Sequence, residues 1–179
     1  EDGHHDMHPA GEANSHFWSD PNIVADMIPA LVDLLIEQDP EGRDTYTANA
    51  AVFLTELADL DRDISETLEG GPDLSIVAFH PSWSYYFKRY HMAVAAYVEP
   101  IPGKELSPLK IVALRDQLVD RQYVVVLSEV QLPRKSAEAL AEVLSSPLVE
   151  IDPLGGRPPI TSYGELLRYN TAQIAAVFQ

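Results

Sequence analysis

The sequence predicts an α/β fold: a mostly parallel four-stranded sheet flanked by helices. From residue 74 onward, short apolar runs alternate with helical segments, the pattern of strand–helix–strand units. Three of those runs end in a side chain able to hold a metal or a proton: His80, Glu129 and Asp152. In a parallel sheet the carboxyl ends of the strands share one edge, and ligands bind there. Ahead of this region, helical periodicity runs for about 30 residues, or roughly 45 Å of helix, longer than one small lobe needs.

Composition narrows the function. The 179 residues suffice for one large domain or for a core and a second lobe, and 46% hydrophobic content is ordinary for a globular chain. The formal net charge of -16 repels phosphate backbones, which argues against nucleic acid as a partner and favours cations. With no cysteine, thiolate metal sites, disulfides and cysteine nucleophiles are excluded. No apolar run approaches the roughly 18 residues of a membrane span, and no signal peptide is visible. The chain opens on Glu1 and passes at once into a loop-like stretch, so an earlier part of the polypeptide is expected to be missing.

Residues 1–15, EDGHHDMHPAGEANS, are polar and histidine-rich and predict a mobile loop. His4, His5 and His8 either hold a borderline cation weakly or do nothing in a solvated terminus; their irregular spacing argues against a purification tag. His16-Phe17-Trp18-Ser19 leads to Asp20-Pro21, an N-cap followed by a first helical proline. That helix carries a stripe of Ile23, Val24, Met27, Ile28, Leu31, Leu34 and Leu35, with a kink expected at Pro29. Taken alone, His16 beside two aromatics reads more readily as structural than as a ligand.

Asp39-Pro40 is a second cap-and-proline start. Tyr46, Ala50, Phe53, Leu57, Leu60, Ile64 and Leu68 follow in steps of four and three, and Gly70-Gly71-Pro72 stops the helix. Strands are expected at 74–79, 93–98, 123–128 and 148–151, and helices at 82–90, 108–121, 134–145 and 162–178, with Ser107-Pro108 as a third cap-and-proline start. The intervening segment 99–106, EPIPGKEL, is expected to shape the rim of the sheet.

His80, Glu129 and Asp152, with His16 as a fourth candidate, could converge on one metal ion. Two imidazoles and a carboxylate suit zinc, whereas manganese and magnesium prefer more oxygen. A ligating histidine needs a partner that fixes its tautomer, and Glu129 is a candidate for that role. The plainer reading stays open on these residues alone: Asp152 before Pro153 and Gly155-Gly156 suits a turn, and Glu129 suits an ion pair with Arg134 or Lys135.

The segments HFWSDP at 16–21, DPEGRDTYTANAAVFLTELADLD at 39–61, FHPSWSYYFKRY at 79–90, EPIPGKELSP at 99–108, SEVQLP at 128–133 and IDPLGG at 151–156 occur in one order. In that order the chain resembles the metal-binding solute-binding proteins of zinc- and manganese-type ABC transporters, from His16 to its end. The resemblance implies two α/β lobes joined by a rigid helix, with the metal in the cleft between them. It implies residues 1–38 as the histidine-rich loop and the end of an N-terminal lobe, 39–69 as the linker helix and 70–179 as the C-terminal lobe, the rest of the first lobe being absent. It implies His16, His80 and Asp152 as metal ligands, Glu129 as a supporting or structural residue, and His4, His5 and His8 as an auxiliary loop. Manganese members carry glutamate where this chain has His80, so the resemblance favours Zn2+ over Mn2+. The absent lobe supplies a further histidine in that family, so this chain brings three ligands and its cleft lacks one wall.

The function so implied is extracytoplasmic capture of Zn2+ and delivery to an ABC permease. The resemblance implies a periplasmic location, or an extracellular one with a lipid anchor, and a monomer, with a zinc metallochaperone as a further candidate partner. The rival is a zinc-dependent hydrolase with an open fourth metal position and Glu129 as general base. A third reading, a surface adhesin, has no support in the sequence.

Overall fold

A computed structural model describes residues 14–99, 107–156 and 158–178. His4, His5 and His8, and all of the 99–106 segment except Glu99, lie outside the described residues.

Asp20 caps the first helix, α1 (Pro21–Gln38), its carboxylate accepting from the Asn22 amide at 2.8 Å. The helix continues through Pro29 as one element. Its apolar stripe is only partly covered: Ile28 is buried, while Met27, Leu31, Leu34 and Leu35 are exposed. The second helix begins later than the sequence suggested. Pro40–Gly42 forms a 3₁₀ turn, and α2 follows as Arg43–Leu68. Asp39 does not cap it by side chain; its carboxylate accepts from the Tyr46 hydroxyl at 2.7 Å, and its amide closes α1 onto Leu35. Of the seven apolar positions along α2, Leu57, Leu60 and Ile64 are buried, all in its second half.

The sheet consists of β1 (Ser75–Ala78), β2 (Ala93–Tyr97), β3 (Val124–Glu129) and β4 (Leu148–Ile151), in the order β2-β1-β3-β4 with every pairing parallel. Four more helices complete the described fold: α3 (Ser84–Arg89), α4 (Pro108–Leu118), α5 (Arg134–Leu144) and α6 (Tyr163–Ala175). Alternation along the strands feeds two cores. Ile76, Ala78, Val125, Leu127 and Ile151 face α2, α3 and α6 through Leu60, Ile64, Tyr86, Leu167 and Ile174. Val77, Phe79 and Val126 face α4 and α5 through Leu114, Leu118, Ala137 and Leu140.

The strand order places a topological switch between β1 and β3. The chain steps outward from β1 to β2, then returns to the other side for β3 and β4. A crevice opens beyond the carboxyl ends of such a central pair. His80 follows β1 there and Glu129 ends β3, so both stand at the switch point.

Candidate metal site

His80 leaves β1 in an extended conformation, because Pro81 disfavours the helical region for the residue before it. Pro81–Trp83 then make one 3₁₀ turn that leads into α3. Ser82, on that turn, donates to Glu129 Oε1 at 2.6 Å. Glu129 is only 6% exposed. Burial pushes its carboxyl above the usual carboxylate range and the charge of Asp152 adds to the rise, against the bond from Ser82.

His16 reaches the same edge from the segment before α1. A 3₁₀ turn at Phe17–Ser19 closes behind it, with the Ser19 amide and hydroxyl both donating to the His16 carbonyl. Its ring lies 5.2 Å from that of His80, centroid to centroid, at an interplanar angle of 81°. Two imidazoles bound through nitrogen at about 2.0–2.1 Å, with centroids roughly 1.1 Å beyond each nitrogen, stand about 5.2 Å apart across a tetrahedral angle. The centroid separation of the pair is therefore compatible with one shared zinc-sized ion.

Asn14 secures this pair. Its Oδ1 accepts from the His16 amide at 3.0 Å and lies 2.7 Å from His16 Nδ1, while its Nδ2 donates to the Pro81 carbonyl at 3.0 Å. The Asn14 carbonyl accepts from the Tyr85 hydroxyl at 2.9 Å.

Asp152 follows β4 and is 2% exposed. Its Oδ1 accepts from Gln131 Nε2 at 2.8 Å and from the Leu154 and Gly155 amides at 3.1 and 3.0 Å. Asn170, on α6 and fully buried, holds its backbone from both sides: the Asp152 amide donates to Asn170 Oδ1 at 2.7 Å, and Asn170 Nδ2 donates to the Asp152 carbonyl at 2.8 Å. Trp18 links the two halves of the region. It lies against His16 at 5.2 Å and donates from Nε1 to the Pro153 carbonyl at 3.0 Å.

The structure thus brings the His16 ring to His80 and bonds Glu129, at the end of β3, to Ser82 on the turn that follows His80. Among the described residues no three histidine, aspartate or glutamate side chains stand close enough together to hold one ion. Asp152 Oδ1 is engaged by its own Gly155 loop and by Gln131. The pairing of Glu129 with Arg134 or Lys135 does not form; Arg134 binds Glu138 and Glu150 instead.

Four neighbours of the site were not singled out from the sequence: Asn14, Glu99, Gln131 and Asn170. Glu99 carried a usable signal, since it too ends an apolar run and is buried at the same edge, its amide donating to the Phe79 carbonyl at 2.7 Å. The three amide side chains carried none, because their partners are backbone groups and side chains brought in by the fold.

Comparison with known proteins settles the family. Residues 1–177 match the family described as zinc-uptake complex component A, periplasmic. The chain belongs to this family. The high-affinity zinc uptake system protein ZnuA of Brucella abortus is 28% identical over 145 residues, covering 81% of this chain and 43% of its own length. A crystal structure of ZnuA superposes with a TM-score of 0.78 at 30% identity, over 92% of this chain and 60% of that one. A structure of the laminin-binding adhesin Lmb from Streptococcus agalactiae, at 22% identity and a TM-score of 0.84 over 96% of this chain and 66% of that one, shares the fold. The chain spans about half the length of the curated relatives it matches. Among the described residues no helix is long and apolar enough to cross a membrane.

Proposed function

We propose that this chain forms one wall of a cleft that captures Zn2+ outside the cytoplasm, in the periplasm or at a lipid-anchored cell surface, and passes it to an ABC permease. The observation that carries this reading is the His16–His80 pair, with ring centroids 5.2 Å apart. Neutral imidazoles at that spacing replace two waters of the ion's shell, and Asp152 supplies the anionic ligand by turning from the Gly155 loop toward them. Family membership and the zinc-uptake names of the relatives support zinc as cargo. In this reading residues 39–69 are the linker helix, 70–179 one lobe, and 1–38 belong with another lobe whose own ligand completes the set.

The chemistry is capture and release. Ligating imidazoles must be neutral, so acidification competes with the metal and frees it. The acidic surface raises the local cation concentration, and the ligand set chooses among the cations. Glu129 is a buried acceptor for Ser82, which supports a part in shaping the His80 turn over service as a general base.

Calorimetric titration of zinc into the wild-type chain and His80→Ala tests this reading. Removal of one of two convergent imidazoles is expected to weaken binding by at least about 100-fold, since loss of mere supporting residues already costs about 10–100-fold. Unchanged affinity in His80→Ala would sink the proposed site.

A further inference from the structure

We propose that Asn14 is the positioning residue of the histidine pair: it holds His16 in the Nδ1–H tautomer and ties that ring to the turn that carries His80. The inference rests on the reading of the pair as metal ligands.

The orientation of the Asn14 carboxamide follows from its backbone partners. The His16 amide can only donate, so the atom it meets at 3.0 Å is the oxygen Oδ1. The Pro81 carbonyl can only accept, so the atom it meets at 3.0 Å is the nitrogen Nδ2. An exchange of oxygen and nitrogen would set donor against donor at one end and acceptor against acceptor at the other. With Oδ1 fixed on the His16 side, the 2.7 Å contact to His16 Nδ1 is a hydrogen bond only when Nδ1 carries the proton. The ring lone pair then resides on Nε2, and Nε2 is the nitrogen that meets a metal. A ligating histidine commonly fixes its tautomer in this way, by giving its other N–H to an oxygen.

The same side chain sets distance as well as tautomer. Pro81 is the residue after His80, so the bond from Nδ2 anchors the His16 segment to the β1 exit. The Tyr85 hydroxyl, donating to the Asn14 carbonyl at 2.9 Å, adds a second tie to the start of α3. His16 comes from a segment with no strand or helix of its own until Pro21, apart from the short turn at Phe17–Ser19. Asn14 therefore ties the segment that carries the His16 ring to the turn that follows His80, with the two rings 5.2 Å apart.

The test reads the tautomer directly. Long-range 1H–15N correlation spectra of the 15N-histidine-labelled full chain, without metal and at a pH where the ring is neutral, are expected to show His16 as the Nδ1–H form. In Asn14→Ala the Nε2–H form should take over, with zinc affinity by calorimetry falling about 10–100-fold while circular dichroism and the thermal midpoint stay close to wild type. Asn14→Asp keeps an acceptor for Nδ1 but loses the donor to Pro81; it should retain the Nδ1–H form and recover part of the affinity. This variant carries the test if the alanine variant does not fold. Finding the Nε2–H form in wild type, or an unchanged Nδ1–H form in Asn14→Ala, overturns the inference. Should the tautomer switch as expected in a chain that binds no zinc, the positioning stands and the zinc reading falls. Should His80→Ala abolish zinc binding while Asn14→Ala changes neither tautomer nor affinity, the zinc reading stands and the positioning falls.

Discussion

Replacing Asn170 by alanine removes the clamp that holds Asp152 at the end of β4. Asn170 is fully buried, and three polar groups depend on its carboxamide: the amide and carbonyl of Asp152 and the carbonyl of Leu166. Leu166 lies one helical turn before it, so its carbonyl keeps its place in the α6 hydrogen-bond ladder. The two Asp152 backbone groups are left buried without this partner. Each such loss costs about 1–3 kcal/mol, and a methyl in place of the carboxamide leaves a small void besides. The sum is about 3–5 kcal/mol, a large share of the roughly 5–15 kcal/mol that holds a domain together. Urea denaturation followed by circular dichroism measures it, as a fall in midpoint at unchanged slope. A loss below about 1 kcal/mol would mean that water or a backbone shift satisfies Asp152, and the clamp would be redundant.

Further outcomes follow from the same network. Glu129 has its carboxyl raised by burial above its ordinary value, so the folded chain holds that proton more tightly than the unfolded chain. The resulting penalty is absent below the ordinary glutamate value and grows as pH rises through the raised one. Glu129→Gln, which keeps an acceptor for Ser82, should therefore gain more stability at pH 7 than at pH 4 in paired thermal melts; equal shifts would refute the assignment. Asp61 behaves in the opposite sense. Burial alone would raise it, but hydrogen bonds from Arg89 and Tyr90 and the Arg89 charge bring it below its usual value, so its contribution is present at neutral pH and lost as acid protonates it. Asp61→Ala should cost about 1–2 kcal/mol at pH 7, modest because Arg89 is partly exposed, and much less near pH 2. Gly155 has a φ of +65°, and an added Cβ would stand 2.8 Å from Ile160 Cγ2. Gly155→Ala is expected to cost about 1–3 kcal/mol of stability, read as a lower urea midpoint, and to disturb the amide that reaches Asp152 Oδ1; a neutral effect would show that this loop yields freely.

The strands were legible because each is a short apolar run closed by a polar residue, and all four were found within a residue or two. Strand order was not legible: alternation with helices announces parallel pairing, but only side-chain packing decides that β3 crosses back beside β1. The apolar stripe of α1 was visible, yet mostly exposed here, since a periodic stripe states that a face wants cover without stating what covers it. At the site, His80 was readable from the end of β1, and its meeting with His16 followed from the family pattern. Asp152 was expected as a third ligand; among the described residues no three-ligand cluster stands together, and Asp152 Oδ1 accepts from Gln131 and from the Leu154 and Gly155 amides. Those amides share a turn with it, so that engagement was written locally in Asp152-Pro153-Leu154-Gly155; the contribution of Gln131 was not.

Trp18 gives the molecule an optical probe of its own. The chain has two tryptophans, and Trp83 is sealed in the core at 1% exposure. Trp18 instead faces the His16 ring while its indole N–H is bonded to Pro153, the residue after Asp152. A change in the His16 ring or in the Asp152 turn falls on Trp18. Occupancy of this region should thus be visible as a change in intrinsic fluorescence, without a dye or an introduced label.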